Sequence, residues 1–293
     1  MIRKTISALA LLIAFALGCN AQIAYKIEGN GLKAPAVIFG THHLAPLSTI
    51  DNVAGAKDAF ENATQIVGEV DMTQDQMALA QTLQSHMMAP ADSTLRNVIP
   101  ADLWNSLNDT FKKYAPMPGM DLDMLNAMKP MLVNTMVAVK MVQENIPDYD
   151  PSQQLDTYFM TTAKAAGKKI SALETVEEQA TYLYDRTPIA KQAKALIEML
   201  QDPNKQADSA KKLNDAYARQ DLQALLALTE AEDEDPVFLE MLLNERNANW
   251  IKKLPAIIAE QPTFIAVGAL HLPGEKGVLK GLENAGYTVT PLK

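Results

Sequence analysis

Six short apolar segments separated by two long helical regions constrain the fold of this chain most strongly. Residues of about 73–166 have helical spacing between the third and fourth segments, and so do residues of about 175–260 between the fourth and fifth. The segments are QIAYKI at 22–27, AVIFG at 36–40, TQIVGEV at 64–70, KKISAL at 168–173, FIAVGAL at 264–270 and YTVTPL at 287–292. Strand-like runs separated by helices indicate an α/β sheet. We therefore predict an α/β fold with a central, mainly parallel sheet and long helical insertions that form a cap.

The first 21 residues have the order of a secretory signal. Arg3 and Lys4 precede an apolar stretch at 6–17, which small residues follow. Cleavage after Ala21 would discard Cys19, whereas cleavage before Cys19 would leave it as a lipid-modified N-terminus. We expect an exported protein that is periplasmic, secreted or lipid-anchored at the cell surface, with membrane contact only through that anchor. Residues 22–293 would then form one α/β domain with the two insertions.

Cysteine content and charge exclude several functional classes. Because Cys19 is the one cysteine in the chain, the folded part has no disulfide and no thiol nucleophile. Without Arg3 and Lys4, the 26 basic residues fall to 24 against 35 acidic ones, which gives a net charge of −11. So acidic a protein argues against a nucleic-acid partner. The partner that we expect is a peptide or a small-molecule substrate.

Polar side chains follow four of the predicted strands at the point where each strand ends. In parallel α/β sheets, ligands bind in the crevice beyond the carboxyl ends of the strands. We therefore expect histidines and carboxylates to face one crevice there. The candidates are His42, His43, Glu69, Asp71, Glu174 and His271.

The two histidine positions share the pattern G-x-x-H. It occurs as Gly40-x-x-His43 and as Gly268-x-x-His271. We expect each glycine to end its strand in a tight turn and to leave space for the imidazole. Imidazole and carboxylate are ligands of Mn, Fe, Co and Zn. The pattern predicts that His43 and His271 share a divalent ion with a carboxylate beside them, and that His42 is only a neighbour.

One helix of the second insertion carries polar residues in its apolar stripe. Arg246 and Asn247 interrupt the stripe in LLNERNANWIKKLP. Because a buried guanidinium needs a partner, we expect Arg246 to face the strand-end carboxylates or a bound anion. The alternative is a structural ion pair to one of these carboxylates. His86, near a helix end, is predicted to lie at the surface or in a cap.

Four segments resemble the TraB/PrgY/GumN family, which includes the Tiki proteins. They are LKAPAVIFGTHHL, AAGKKISALETVEEQ, LLNERNANWIKKLP and AVGALHLPGEKGVLKGLENAGYTVTPL. The resemblance implies an α/β core with paired G-x-x-H motifs and, in the Tiki branch, a protease that depends on Mn or Co. By position it implies motif histidines at 43 and 271, an acid at Glu69 and an arginine at Arg246. Glu174 and Asn247 match less closely.

Three functions remain open at this point. In a metal-dependent hydrolase, His43, His271 and Glu69 would hold the ion, which is Mn or Co by resemblance, with Zn or Fe as alternatives. Glu69 or Glu174 would act as general base, and Arg246 would stabilise the developing oxyanion. The alternatives are a haem- or metal-binding lipoprotein and a non-catalytic signalling protein of the same fold.

Overall fold

A six-stranded mixed sheet forms the centre of the computed structural model, which describes residues 22–146, 149–150, 152–232 and 236–293. The strand order is β4-β3-β5-β2-β1-β6, and the first four strands in this order are parallel. The strands are β1 (Ala24–Gly29), β2 (Ala36–Thr41), β3 (Gln65–Gly68), β4 (Lys169–Ala172), β5 (Thr263–Gly268) and β6 (Tyr287–Pro291). Each of the six apolar segments contributes one strand. The predicted α/β fold with a mainly parallel sheet is confirmed.

The two strands at one edge run antiparallel. A tight turn joins β1 to β2, and β6 pairs with the other side of β1. Gly29, Asn30 and Gly31 all have positive φ in this turn, at 84°, 46° and 79°. Two glycines suit this conformation because they have no Cβ to clash with the backbone. The turn therefore brings β1 back beside β2.

Helices occupy both predicted insertions and the remaining connections. The first insertion contains α2–α6, and the second contains α7–α12. The bounds are α1 (Ala56–Asn62), α2 (Gln76–Met87), α3 (Leu95–Val98), α4 (Trp104–Lys113), α5 (Pro130–Asn145), α6 (Leu155–Ala165), α7 (Val176–Ala180), α8 (Ile189–Gln201), α9 (Pro203–Ala218), α10 (Leu222–Glu232), α11 (Pro236–Leu239), α12 (Arg246–Ile258) and α13 (Val278–Asn284). Thr181–Asp185 and Glu240–Glu245 form π-helices, and Leu47–Asn52 and Ala269–His271 form 3₁₀ helices.

Two main hydrophobic clusters stabilise the described part of the chain. The first surrounds the sheet and includes the buried rings of Phe39, Phe159 and Phe264. The second is built from the insertions alone and contains Trp104 and Phe111 of α4 together with residues of α5 and α8. Much of the helical material thus packs on itself rather than on the sheet. This arrangement is what a cap of insertions requires.

The predicted signal and both cleavage alternatives at Cys19 lie outside the described residues. Within the described ranges, no helix is long and apolar enough to cross a membrane.

Candidate functional site

The carboxyl ends of the four parallel strands deliver polar side chains to one region. Glu69 directly follows β3, and Glu174 lies two residues beyond β4. His271 ends the short 3₁₀ turn after β5, and His43 follows β2 by two residues. Of these side chains, Glu174 and His271 are buried, at 7% and 4% exposed. A parallel sheet forces this convergence, since all of its strands end at the same edge.

Arg246 lies at the centre of this region and is only 4% exposed. Its Nε donates to Glu174 Oε1 at 2.9 Å, and its Nη2 donates to Glu69 Oε2 at 2.7 Å. Its Nη1 donates to the carbonyl of Leu242 and to Nε2 of His271, at 3.2 and 3.1 Å. Arg246 therefore contacts both carboxylates, as expected from its place in an apolar stripe. It begins α12 immediately after a π-helix, a feature frequent at functional sites.

Glu174 is held as the counter-ion of the guanidinium. Oε2 of Glu174 accepts hydrogen bonds from both Nε and Nη2 of Arg246, at 3.1 and 3.0 Å. Oε1 also accepts from the indole Nε1 of Trp250 at 2.8 Å. Four donated hydrogen bonds leave the Glu174 carboxylate little freedom to move. This geometry suits a fixed partner of Arg246 better than a general base.

Glu69 bridges the ends of β3 and β5. Its Oε1 accepts from the backbone N–H of Gly268 at 2.8 Å, and its Oε2 accepts from Gln179 Nε2 at 2.9 Å as well as from Arg246. Burial raises the cost of ionising Glu69. His271, Arg246 and the Gly268 N–H outweigh that cost and lower the pKa of Glu69 to about 2. Glu69 is therefore a carboxylate at neutral pH.

The tautomer of His271 follows from its hydrogen-bond partners. Because a guanidinium can only donate, His271 Nε2 must accept from Arg246. Nδ1 therefore carries the proton and donates to Asn247 Oδ1 at 2.7 Å, and the Asn247 amide donates to the Lys276 carbonyl at 3.0 Å. Burial, with the charge of Arg246, lowers the pKa of His271 to about 3. His271 is thus a neutral imidazole whose Nε2 lone pair faces the site, with its ring against Trp250 at 4.2 Å between centroids.

His43, rather than His42, is the histidine of the first motif that faces the site. The contact with Asp156 raises the pKa of His43 to about 9, and the resulting positive charge contributes to the low pKa values of Glu69 and His271. His42 instead packs on Tyr217, with ring centroids 5.1 Å apart, and burial lowers its pKa to about 4. The His43 ring is 64% exposed and therefore lies at the mouth of the site.

The motif glycines serve a different purpose from the predicted one. Gly40 lies within β2 and Gly268 ends β5, and neither has the positive φ that a tight turn would need. A Cβ at Gly40 would approach Cα of Ala269 to 2.9 Å, and one at Gly268 would lie 3.2 Å from Oε1 of Glu69. The expectation of tight turns was wrong. Each glycine permits a close approach, and at Gly268 the approaching group is the site carboxylate.

Two further predictions need correction. Asp71 accepts from the N–H and the hydroxyl of Thr73, at 2.8 and 2.6 Å, so it caps a local turn. His86 lies in the last turn of α2, as expected, but it is buried at 8% exposed. Its Nδ1 contacts Asp185 Oδ2 at 2.5 Å, and its Nε2 lies 3.1 Å from Glu177. His86 therefore joins the two insertions rather than lying at the surface.

Several side chains around the site were not among the residues predicted from the sequence. Gln179 orients Glu69, and Trp250 orients Glu174. Tyr182 lies 5.9 Å from the Arg246 guanidinium, measured to the ring centroid. Asp156 contacts His43 at 3.2 Å. Trp250 could have been found, because it lies one turn after Arg246 on the same helix, but the others follow only from the tertiary fold.

The open space beside the site lies around the start of α7. Two clefts of about 460 and 540 Å³ share Glu174, Glu177, Glu178 and Lys253 in their walls. Both therefore reach the carboxylate that holds Arg246. Each has the size of a small-ligand pocket.

The spacing and the free lone pairs of the donor atoms decide whether the site could hold a metal ion. Within the described ranges, no group of three or more His, Cys, Asp or Glu side chains is spaced to hold a metal ion. A carboxylate and a neutral imidazole are ligand types that a borderline divalent ion takes, but the Nε2 lone pair of His271 and Oε2 of Glu69 both accept hydrogen bonds from Arg246 in this structure. Both groups are directed at the Arg246 guanidinium, which supplies the positive charge.

Comparison with known proteins identifies the relatives of the chain. The profile of the TraB/PrgY/gumN family matches residues 23–291. Metalloprotease TIKI2 of Xenopus tropicalis is 25% identical over 308 aligned positions, which cover 87% of this chain and 57% of that protein. Metalloprotease TIKI1 of the same species is also 25% identical and is covered over 59% of its length. The chain therefore spans a little over half the length of these relatives, and no solved structure matches it at a significant level.

Proposed function

The chain belongs to the TraB/PrgY/gumN family, and we propose that it is a metal-dependent hydrolase, a peptidase of the kind named in its TIKI relatives. The observation that carries this proposal is the buried cluster of Glu69, Arg246 and His271 at the ends of β3 and β5, with His43 at its mouth. Three charged or titratable groups on separate elements are costly to bury together. Such clusters of perturbed ionisable groups are concentrated at functional sites.

In this proposal His43, His271 and Glu69 hold a divalent ion, with Mn or Co as the first candidates and Zn or Fe as alternatives. When bound, the ion supplies an activated water and polarises the scissile carbonyl. His271 brings a neutral ring whose proton is fixed on Nδ1 by Asn247, so Nε2 carries the lone pair, and a bound ion would take the place that the Arg246 donor has beside it.

The other side chains of the site would transfer the proton, stabilise negative charge and hold Arg246 in place. Glu69 is the preferred proton acceptor, because Glu174 is committed to four hydrogen bonds from Arg246 and Trp250. Arg246 supplies N–H donors and a fixed positive charge to an oxygen that becomes negative during hydrolysis. Glu174 keeps that guanidinium in place, and the peptide or small-molecule substrate occupies the cleft space next to Glu174.

The experiment is cleavage of a peptide library by the purified protein with and without Mn²⁺ or Co²⁺. We expect metal-dependent cleavage that Glu69→Gln abolishes, while the same change at the exposed Glu283 has no effect. Metal-independent cleavage, or full activity of Glu69→Gln, would refute the assignment. Haem absorbance in the purified protein together with no cleavage would instead support a haem-binding role.

We also propose that the protein acts outside the cytoplasm. The support is the order of basic, apolar and small residues in the first 21 positions. Intact-mass analysis of the native protein separates the alternatives. A start at Gln22 supports simple secretion and a diacylglycerol-modified Cys19 supports an anchor, whereas an intact Met1 contradicts both.

A further inference from the structure

β4 is an edge strand of the sheet. Within the described part of the chain it pairs with β3 on one side and with no strand on the other. Lys169 is exposed, and the other three residues of the strand are half-buried. An edge strand presents unpaired N–H and C=O groups that can pair with another chain. The outer side of β4 is therefore a candidate surface for an added strand.

The hydrogen bonds to β3 show which residues of β4 face outwards. The N–H groups of Lys169 and Leu173 donate to backbone carbonyls at the start and at the end of the β3 segment, each at 3.0 Å. Successive residues of a strand direct their N–H and C=O groups to opposite sides, so Ile170 and Ala172 direct theirs away from β3. No group among the described residues forms a hydrogen bond with this outward backbone. Each of these two residues thus offers both a donor and an acceptor.

The cleft of about 460 Å³ lies beside this edge. Ala172 and Leu173 belong to one wall, and Ala78 and Leu79 of α2 belong to another. Neighbouring strands of a sheet lie about 4.7–4.9 Å apart, so a strand added to β4 would lie in the space between β4 and α2. The cleft continues to Glu174, the carboxylate that holds the guanidinium of the site.

The opposite edge of the sheet lacks this combination. β6 ends in Pro291, whose nitrogen has no hydrogen to donate, and neither of the two clefts reaches this strand. Proline is one of the residues that protect edge strands from pairing. β4 contains no proline, and its carboxyl end leads into the site. Of the two edges, β4 is therefore the one suited to receive a strand next to the reacting groups.

We propose that the substrate is an extended peptide that binds as an added strand along the outer edge of β4. The inference deepens the proposed function, on which it rests for the role of the peptide as substrate. In this mode of recognition, backbone hydrogen bonds give affinity and alternate side chains give specificity. The backbone of Ile170 and Ala172 supplies the former, and the wall of Ala78 and Leu79 favours an apolar side chain. A strand that follows β4 reaches Glu174 and so arrives at the buried cluster.

The test begins with an array of immobilised short peptides of random sequence, to which the wild-type protein is applied in EDTA so that no metal-dependent cleavage occurs. The sequence that binds best is synthesised with a fluorescent label and with an N-methyl group at each backbone position in turn. Fluorescence anisotropy measures the affinity of each peptide. In ¹⁵N-labelled protein, hydrogen exchange reports whether the peptide protects the amides of Ile170 and Ala172.

Two proline variants form a matched pair, one on each edge. Ala172→Pro removes an N–H that faces away from β3, so the pairing of β4 with β3 is retained. Val289→Pro removes an outward N–H of β6, because the N–H of Leu292 donates to Ala24 and residues of the alternate set face outwards. Thermal melting shows whether both variants fold.

We expect N-methylation to weaken binding by about 2- to 10-fold at alternate peptide positions and to have no effect at the positions between them, because every second N–H faces β4. Ala172→Pro should lose affinity by a similar factor, whereas Val289→Pro should bind like the wild type. The peptide should slow exchange of the Ile170 and Ala172 amides. If Ala172→Pro does not fold, the alternating pattern and the amide protection decide the matter in the wild type.

The inference is overturned if no peptide binds, or if a peptide binds without the alternating pattern and without protection of these amides. Metal-dependent cleavage judges the proposed function separately. Binding along β4 without cleavage would keep the peptide site and remove the hydrolase, whereas cleavage without protection of β4 would keep the hydrolase and remove the edge-strand site.

Discussion

Replacing Arg246 with methionine removes the guanidinium while keeping a long apolar side chain. Glu69 and Glu174 would then be buried with no counter-charge, and His271 Nε2 would lose its donor. Removing one partner of a buried ion pair costs about 3–5 kcal/mol. Total stabilities are about 5–15 kcal/mol, so the variant should fold with much lower stability.

The matched control is Arg186→Met. Arg186 pairs with Glu245, and the two side chains are 38% and 41% exposed. Exposed pairs contribute about 0.2–1 kcal/mol, so this identical substitution should have little effect. Urea denaturation measures both. If the free energy of unfolding falls by about 3 kcal/mol per M urea, a loss of about 4 kcal/mol lowers the urea midpoint of Arg246→Met by about 1.3 M.

The pH dependence gives the sharper test. In the wild type the folded pKa of Glu69, at about 2, is below its unfolded value. The stability that it contributes is therefore present above the unfolded pKa of about 4.3 and is lost as pH falls through the folded pKa. Without Arg246, burial should raise the pKa of the Glu69 carboxyl. The variant should therefore lose most stability at neutral pH, and part of that stability should return as the pH is lowered. A loss within about 1 kcal/mol of the Arg186→Met control, or one independent of pH between 4 and 7, would refute the reasoning.

Two further substitutions test other parts of the account. His86→Gln should remove the contacts to Asp185 and Glu177. Burial opposes ionisation of His86, but the two carboxylates outweigh it and raise the pKa of His86; Lys129 is also bound to Asp185. The stability lost in the variant should therefore be largest below about pH 6.5 and should decrease as pH rises through the folded pKa. A loss that does not depend on pH in denaturation experiments would contradict this. Gly40→Ala should lower the free energy of unfolding by about 1–3 kcal/mol, because the added Cβ would meet the backbone of Ala269. Thermal melting measures this loss, and a variant as stable as the wild type would show that the strand can shift.

Much of the framework of the fold could be predicted from local sequence pattern. The apolar runs gave all six strands because strand length and apolar content are local properties. The convergence of Glu69, Glu174 and His271 could also be predicted, since parallel strands place their carboxyl ends together. Arg246 was identifiable because a charge in an apolar stripe needs a buried partner.

The remaining features depend on contacts between distant segments. Asp156 reaches His43 from 113 positions away, and His86 reaches Asp185 from 99 positions away. Neither residue has a motif, so nothing in their local sequence distinguishes them from surface groups. The glycines were assigned the wrong physical reason because a close approach by Ala269 or Glu69 cannot be seen in the strand itself. Such contacts appear only after the insertions have packed.

The central claim is that His43 and His271 share one divalent ion. Calorimetric titration of Mn²⁺ and Co²⁺ into the wild type, His43→Ala and His271→Ala tests this most directly, with Asp123→Ala as the surface control. Both histidine variants should fold, as judged by thermal melting, and bind far more weakly than the wild type and the control. If the wild type binds the ion and both histidine variants bind it equally well, the shared site does not exist.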